Sequence, residues 1–256
     1  MLNRPKGESM NPRNAVLLFV WTCGLIAGCG QPQPCGCGSQ GATSKPATAS
    51  APAGGDFRSS FSVPKANWTA TGANPYFVLK PGHRLTLRSG ADSLIITVLD
   101  ETRLVDGVTT RVVEERETEN GQLKEVSRNY FALDGSTGDL YYFGEEVDMY
   151  KDGKVASHEG AWLSGVNGAK FGLMLPGAPK VGDRYYQELA PKVAMDRGEV
   201  LSLSEEMTTP AGTFKNVLCT RDSSAIESGS EKKYFAPGVG LLKDGDFILT
   251  EVSPAK

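Results

Sequence analysis

The densest group of reactive side chains is three cysteines within nine residues, Cys29, Cys35 and Cys37, in GLIAGCGQPQPCGCGSQ. Thiolates so close together could hold zinc or form a disulfide. A structural zinc site takes four ligands at defined spacings, and no histidine stands near these thiols. Cys35 and Cys37 are therefore expected to lie on a tether or to pair after export. Cys219, in KNVLCTRD, is expected to be a small apolar residue of a strand. His83 follows the Pro81-Gly82 turn and His158 lies in KVASHEG, so both are expected at exposed turn or strand positions. In DMYKDGKVASHE, Asp148, Asp152, Gly153 and Glu159 stand at positions 1, 5, 6 and 12 of a calcium-binding loop, with Tyr150 at position 3 in place of a carboxylate or amide. The same residues fit a plain hairpin that turns at Asp152-Gly153. Asp134 to Asp139 forms a second oxygen-rich turn of this kind. The sequence has no Gly-x-Ser-x-Gly elbow, no phosphate-binding loop and no His-Glu-x-x-His helix. No converging catalytic set is found, so a non-enzymatic protein without a cofactor is expected.

The segment that delivers Cys29 explains it better than metal chemistry does. Asn14 to Gly28, NAVLLFVWTCGLIAG, is apolar and uncharged, and Arg4, Lys6 and Arg13 precede it. It is shorter than the about 20 residues of a membrane-spanning helix and has the basic and apolar regions of a signal peptide. Translation from Met10 would still leave a complete signal. Ile26-Ala27-Gly28-Cys29 resembles the lipobox of bacterial lipoproteins. That resemblance implies cleavage after Gly28 and lipidation of Cys29, with acyl chains of the palmitate kind anchoring the mature chain in the membrane. Two or three chains, at about 0.8 kcal/mol per buried methylene, anchor stably. Gly30 is not the aspartate associated with inner-membrane retention, which points to an outer-membrane place in the cell envelope.

Residues 1–28 thus read as a lipoprotein signal peptide, and 29–56 as the lipidated cysteine and a flexible Pro/Gly/Ala/Ser/Thr tether. Residues 57–256 read as a β-domain. The formal charge is −3. Loss of the signal removes three basic residues and one acidic residue, which takes the charge to −5 and argues against a nucleic-acid partner.

The elements of that domain are strands. Asp106-Gly107, Asn120-Gly121, Asp152-Gly153 and Asp244-Gly245 suit the positive φ angles of tight hairpins. The runs between them, such as LIITVLDETRLV and VTTRVVEERETE, are rich in β-branched residues, and RLTLR alternates with period two. Glu114 to Glu119, EERETE, is expected to be the solvated part of a long hairpin. KPGHRLTL from Lys80, LDETRLVDGVTTRVV from Leu99 and YFALDGSTGDL from Tyr130 are echoed in order by KVGDRYYQ from Lys180, SEEMTTPAGTFKNVL from Ser204 and YFAPGVGLLKDG from Tyr234. The expected fold is all-β: an antiparallel meander forming a half-open barrel or two-layer sandwich, built from two tandem repeats over 76–159 and 177–252. The Gly-rich stretch between them is expected to connect the repeats across a face or mouth of the sheet. Its apolar centre, Phe171, Leu173, Met174 and Leu175, is the candidate ligand groove. Tyr141, Tyr142, Phe143, Tyr185, Tyr186, Tyr234 and Phe235 either pack the core or line such a groove.

At TPAGTFKNV (Thr209 to Val217) and YFAPGVGLLK (Tyr234 to Lys243) the sequence resembles secreted or lipid-anchored β-rich bacterial proteins of unknown function with a TapB-like signature, and NPYFVLKPG fits the same pattern. The motifs are structural and carry no catalytic residues. The expected function is that of a cell-envelope lipoprotein whose β-domain binds a partner protein or an apolar ligand. A calcium-stabilised surface module and a carrier of hydrophobic ligands are the alternatives.

Overall fold

The computed structural model describes residues 56–255. Gly28, Cys29, Cys35, Cys37 and nearly all of the tether lie outside the described residues. Three of the four Asx-Gly pairs turn hairpins with both residues at positive φ: Asp106 and Gly107, Asn120 and Gly121, Asp152 and Gly153. They join long strands in an all-β fold. In chain order the strands are β1 (Trp68–Thr69), β2 (Gly72–Asn74), β3 (Phe77–Leu79), β4 (Arg84–Ser89), β5 (Asp92–Val105) and β6 (Val108–Glu119). They continue with β7 (Gln122–Asp134), β8 (Leu140–Lys151), β9 (Lys154–Ser157), β10 (Trp162–Leu163), β11 (Lys170–Leu175) and β12 (Arg184–Tyr186). The last are β13 (Glu188–Leu189), β14 (Asp196–Thr209), β15 (Gly212–Ser224), β16 (Glu231–Ala236), β17 (Gly240–Asp244) and β18 (Phe247–Ser253).

The main sheet runs β12-β14-β15-β16-β17-β18-β4-β5-β6-β7-β8-β11-β13, and every strand pairing in it is antiparallel. Its two ends are the two halves of one extended segment, separated only by Gln187, whose N–H donates to Asp196 O at 2.8 Å. The sheet therefore curls into a barrel with a single seam. At that seam a methyl carbon on Gly172 would lie 2.5 Å from the Gln187 carbonyl carbon, so only glycine lets the segment pass. Residue 58 adds to β12 beside the seam, with Arg58 N bonded to Arg184 O and Tyr186 N to Arg58 O, each at 2.9 Å.

The two halves share their hydrogen-bond pattern. His83 N bonds Lys80 O, Gly82 N bonds Val98 O and Val98 N bonds His83 O; Asp183 N bonds Lys180 O, Gly182 N bonds Val200 O and Val200 N bonds Asp183 O. Leu85 opposes Ile96 as Tyr185 opposes Gly198. β11 completes the first half and pairs with β13, as β18 completes the second and pairs with β4. Lys170–Leu175 is thus a wall strand and not a connection laid over a mouth, because it supplies the hydrogen bonds that edge strand β8 would otherwise lack.

Register assigns the two faces of the wall. Leu85, Ile96, Val98, Val113, Phe131 and Tyr142 point inward, where Phe77 of the small β2-β3 sheet packs on Phe131 at 5.3 Å. Arg84, Arg88, Glu114, Arg116, Arg128 and Glu146 lie on the outer face. A lipid-facing wall carries an apolar belt, and these charges interrupt the outer face. One outer patch is aromatic: Trp68 covers Tyr141, Phe143 and Phe171 edge-on, with ring centroids 5.3 to 5.7 Å apart.

Candidate functional site

Strand alternation carries part of EERETE into the barrel, correcting the expectation of a solvated run. Glu115 opposes Ser127 and Ile96, and Glu117 opposes Glu125 and Leu94, on the inward face. A barrel this wide cannot be filled by apolar side chains alone, and its interior holds a polar network. Lys233 donates to Asp244 Oδ2 at 2.8 Å and stands 3.7 Å from Glu231. Asp222 accepts from Thr220 at 2.7 Å and from Gln187 at 3.3 Å, and Glu188 accepts from Asp196 N at 2.7 Å. Tyr142 donates to Asn129, which donates to Ser127.

Burial raises nearly all of these acids, because a low-dielectric interior disfavours the charged form. Glu115, Glu145 and Glu231 are pushed up to about 8, Glu125 to about 9, Glu117 to about 7 and Asp196 to about 6. Glu188 and Asp222 are raised as well. Lys233 is held above its ordinary value by Asp244, Asp222 and Glu231, which outweigh its own desolvation. Unpartnered buried acceptors include Glu125 Oε2, Glu145 Oε2, Gln187 Oε1, Glu188 Oε2 and Asp244 Oδ1. Ionised, these groups would lack donors, and protonation of the raised carboxyls supplies them.

This interior meets the surface at a cleft of about 250 Å³ between the 161–169 and 190–193 segments. β10 pairs Trp162 with Glu145 and Leu163 with Gly144. Gly144, at φ 129°, makes that approach feasible: a methyl carbon there would lie 2.8 Å from Leu163 Cα. Ser164 then locks the segment, with its N–H on Phe143 O at 2.9 Å and its hydroxyl on Asp106 at 2.8 Å. Trp162 packs edge-on against Tyr142 at 5.2 Å. Trp162 and Glu145 both line the cleft at 6 % and 2 % exposed, and the indole Nε1 and the carboxyl Oε2 have no partner. Leu163, Val166, Ala190, Pro191 and Val193 form apolar walls, with Val166 and Val193 exposed at the rim. In the second half, β17 and β18 join directly through a short turn, so this segment has no counterpart there.

The structure separates the residues singled out from sequence. Asp148 pairs with His158 at 3.0 Å, and Asp152 sits at the turn of the β8-β9 hairpin. Asp148, Asp152 and Glu159 are not brought together, and no three metal-ligating side chains converge among the described residues. Phe171, Leu173, Met174 and Leu175 share no groove, since alternation sends neighbours to opposite faces. Phe171 lies in the outer aromatic patch, and Leu173 and Leu175 are packed in the core. Met174 reaches an interior cavity of about 40 Å³ beside His83 and Phe235, room for a water or two. His83 is 6 % exposed and bonds Val239 O at 2.8 Å, which corrects its expected exposure; the Lys80 turn tucks the ring inward. His158 is exposed as expected, and Cys219 is a free, buried strand residue. Tyr142, Tyr185 and Phe235 point inward and Tyr141 and Phe143 outward. Trp162 and Glu145 escaped sequence reasoning because no motif links them; only their ladder pairing does.

No family model matches the chain, and no curated protein matches it. Among solved structures, the crystal structure of a protein described as a lipoprotein from Parabacteroides distasonis matches at 12% identity, over 72% of this chain and 100% of that one, with a TM-score of 0.33.

Proposed function

We propose that this chain is a lipid-anchored protein of the cell envelope whose barrel is a non-enzymatic binding module, taking a small ligand in the cleft over Trp162 and Glu145. One observation carries the binding reading. A buried donor, Trp162 Nε1, and a buried acceptor, Glu145 Oε2, belong to directly paired residues and lack partners, each a cost of roughly 1–3 kcal/mol that a ligand would relieve. The interior cavity beside Met174 is too small for an acyl chain, so a small ligand with polar groups fits better than a hydrophobic cargo. The anchor rests on Ile26-Ala27-Gly28-Cys29.

Two measurements test the reading. Cys29→Ser should move the protein from the membrane to the soluble fraction and abolish incorporation of labelled palmitate; continued incorporation rejects the anchor. Ala190→Trp should fill the cleft. A thermal-shift screen of small metabolites should then give hits on the wild type that this variant loses. Hits of equal strength on both would place binding elsewhere.

A further inference from the structure

We infer that the cleft takes a small amine carrying a hydrogen-bond acceptor beside its ammonium group, with the ammonium on Glu145 and the acceptor on the Trp162 indole. This rests on the ligand-binding reading above. Trp162 and Glu145 are direct cross-strand partners, so their side chains leave the sheet on the same side with Cβ atoms about 5 Å apart. The indole can only donate, which asks the ligand for an acceptor. Glu145 and the groups behind it ask for the opposite. Asp196, Glu188, Glu115 and Glu125 all act on Glu145 or feel it, while Tyr142 spends its one hydroxyl proton on Asn129. Glu146, at the cleft edge, is already paired with Arg103.

An anionic ligand would leave these carboxyls protonated and could not form the charge pair that an ammonium makes with an ionised Glu145. An ammonium brings three donors to a region where Gln187 Oε1 lacks a partner and where Glu145, once its proton is given up, accepts only. Bare metal is disfavoured by the side-chain arrangement, since no three ligating groups converge among the described residues. Leu163, Val166 and Val193 would receive an aliphatic side chain.

The exchange balances simply. Burial keeps Glu145 protonated up to about pH 8. A ligand arriving as R–NH3+ forms an ion pair with the carboxylate, and the carboxyl proton leaves to solvent. Amino-acid amides have the required pair of groups, so L-leucinamide is the probe. N-acetyl-L-leucinamide removes the charge and 3-methylbutylamine removes the acceptor. Calorimetry at pH 6.5, in buffers of different ionisation enthalpy, should show leucinamide binding with release of close to one proton. Both comparison compounds should bind at least tenfold more weakly. Glu145→Gln resembles the protonated acid in shape and should keep the melting temperature within a few degrees, while weakening leucinamide at least tenfold and abolishing proton release. Equal binding of the acetylated compound, full affinity in Glu145→Gln, or no binding of leucinamide to the wild type each overturns the amine. A neutral hit lost in Ala190→Trp would meanwhile leave the cleft standing as a binding site, which separates failure of this inference from failure of the reading beneath it.

Discussion

Lys233 shows how the interior is held at the level of single residues. Its ammonium is 2 % exposed and is bonded to Asp244, itself 2 % exposed. A buried pair of this kind contributes little beyond what matched apolar residues would, yet removing one member leaves an uncompensated charge at about 3–5 kcal/mol. Lys233→Met should accordingly destabilise the domain by about 3 kcal/mol or more in urea unfolding, and Lys233→Met with Asp244→Leu should recover most of the loss. A single variant within 1 kcal/mol of wild type would show that the pair does not hold the interior. Little of this was legible beforehand. KKYFA reads as a strand, but which of Lys232 and Lys233 turns inward depends on register with β15, where Lys233 opposes Thr220 and Lys232 opposes Arg221. Register is a tertiary fact. The same holds for Glu115, whose neighbours Glu114 and Arg116 are ordinary wall charges.

Among the elements, β10 matters most, because two residues of strand position Trp162 over Glu145. It lies against β8 only because Gly144 has no side chain. Gly144→Ala combines a positive φ with contact against the Leu163 backbone. It should cost about 2 kcal/mol or more and should release Trp162 from its ledge beside Tyr142. Indole emission should shift to the red, and ligands of the cleft should be lost; unchanged emission would mean that β10 tolerates the methyl group. The hairpins themselves were legible, since the Asx-Gly pairs specify turns by local sterics, and so was the correspondence of Lys80 with Lys180. The Gly-rich chain of 160–183, without strong periodicity, concealed β10 and β11. A strand of two residues has no pattern to read, and Lys170–Leu175 is apolar on both faces because a barrel wall and an outer aromatic patch cover it.

For the whole molecule, the acid-lined interior fixes the sign of the pH dependence. Glu115, Glu145 and Glu231 titrate near 8 and Glu125 near 9 when folded, while the unfolded chain loses the same protons near 4.3. Between those values the folded state binds more protons than the unfolded state, so stability falls as pH rises. The contribution is complete below about pH 4.5 and exhausted once the folded acids ionise at about 8 to 9. Asp134 and Glu146 act the other way. Ser136 and Asn67 hold Asp134 low against its own desolvation, and Arg103 holds Glu146 low, so their stabilisation is lost as pH falls into the acid range. The raised value of Lys233 matters only above the alkaline end of this window. The optimum should therefore lie near pH 5. Raising the pH from 5 to 8 should cost roughly 3 kcal/mol or more, with Tm falling steadily and Glu145→Gln flattening part of the slope. A Tm that is level or rises over that range would mean that these carboxyls are hydrated and charged in the folded barrel. The amine inference would then lose the proton whose release it requires, so one melting series at several pH values bears on the interior and on its ligand together.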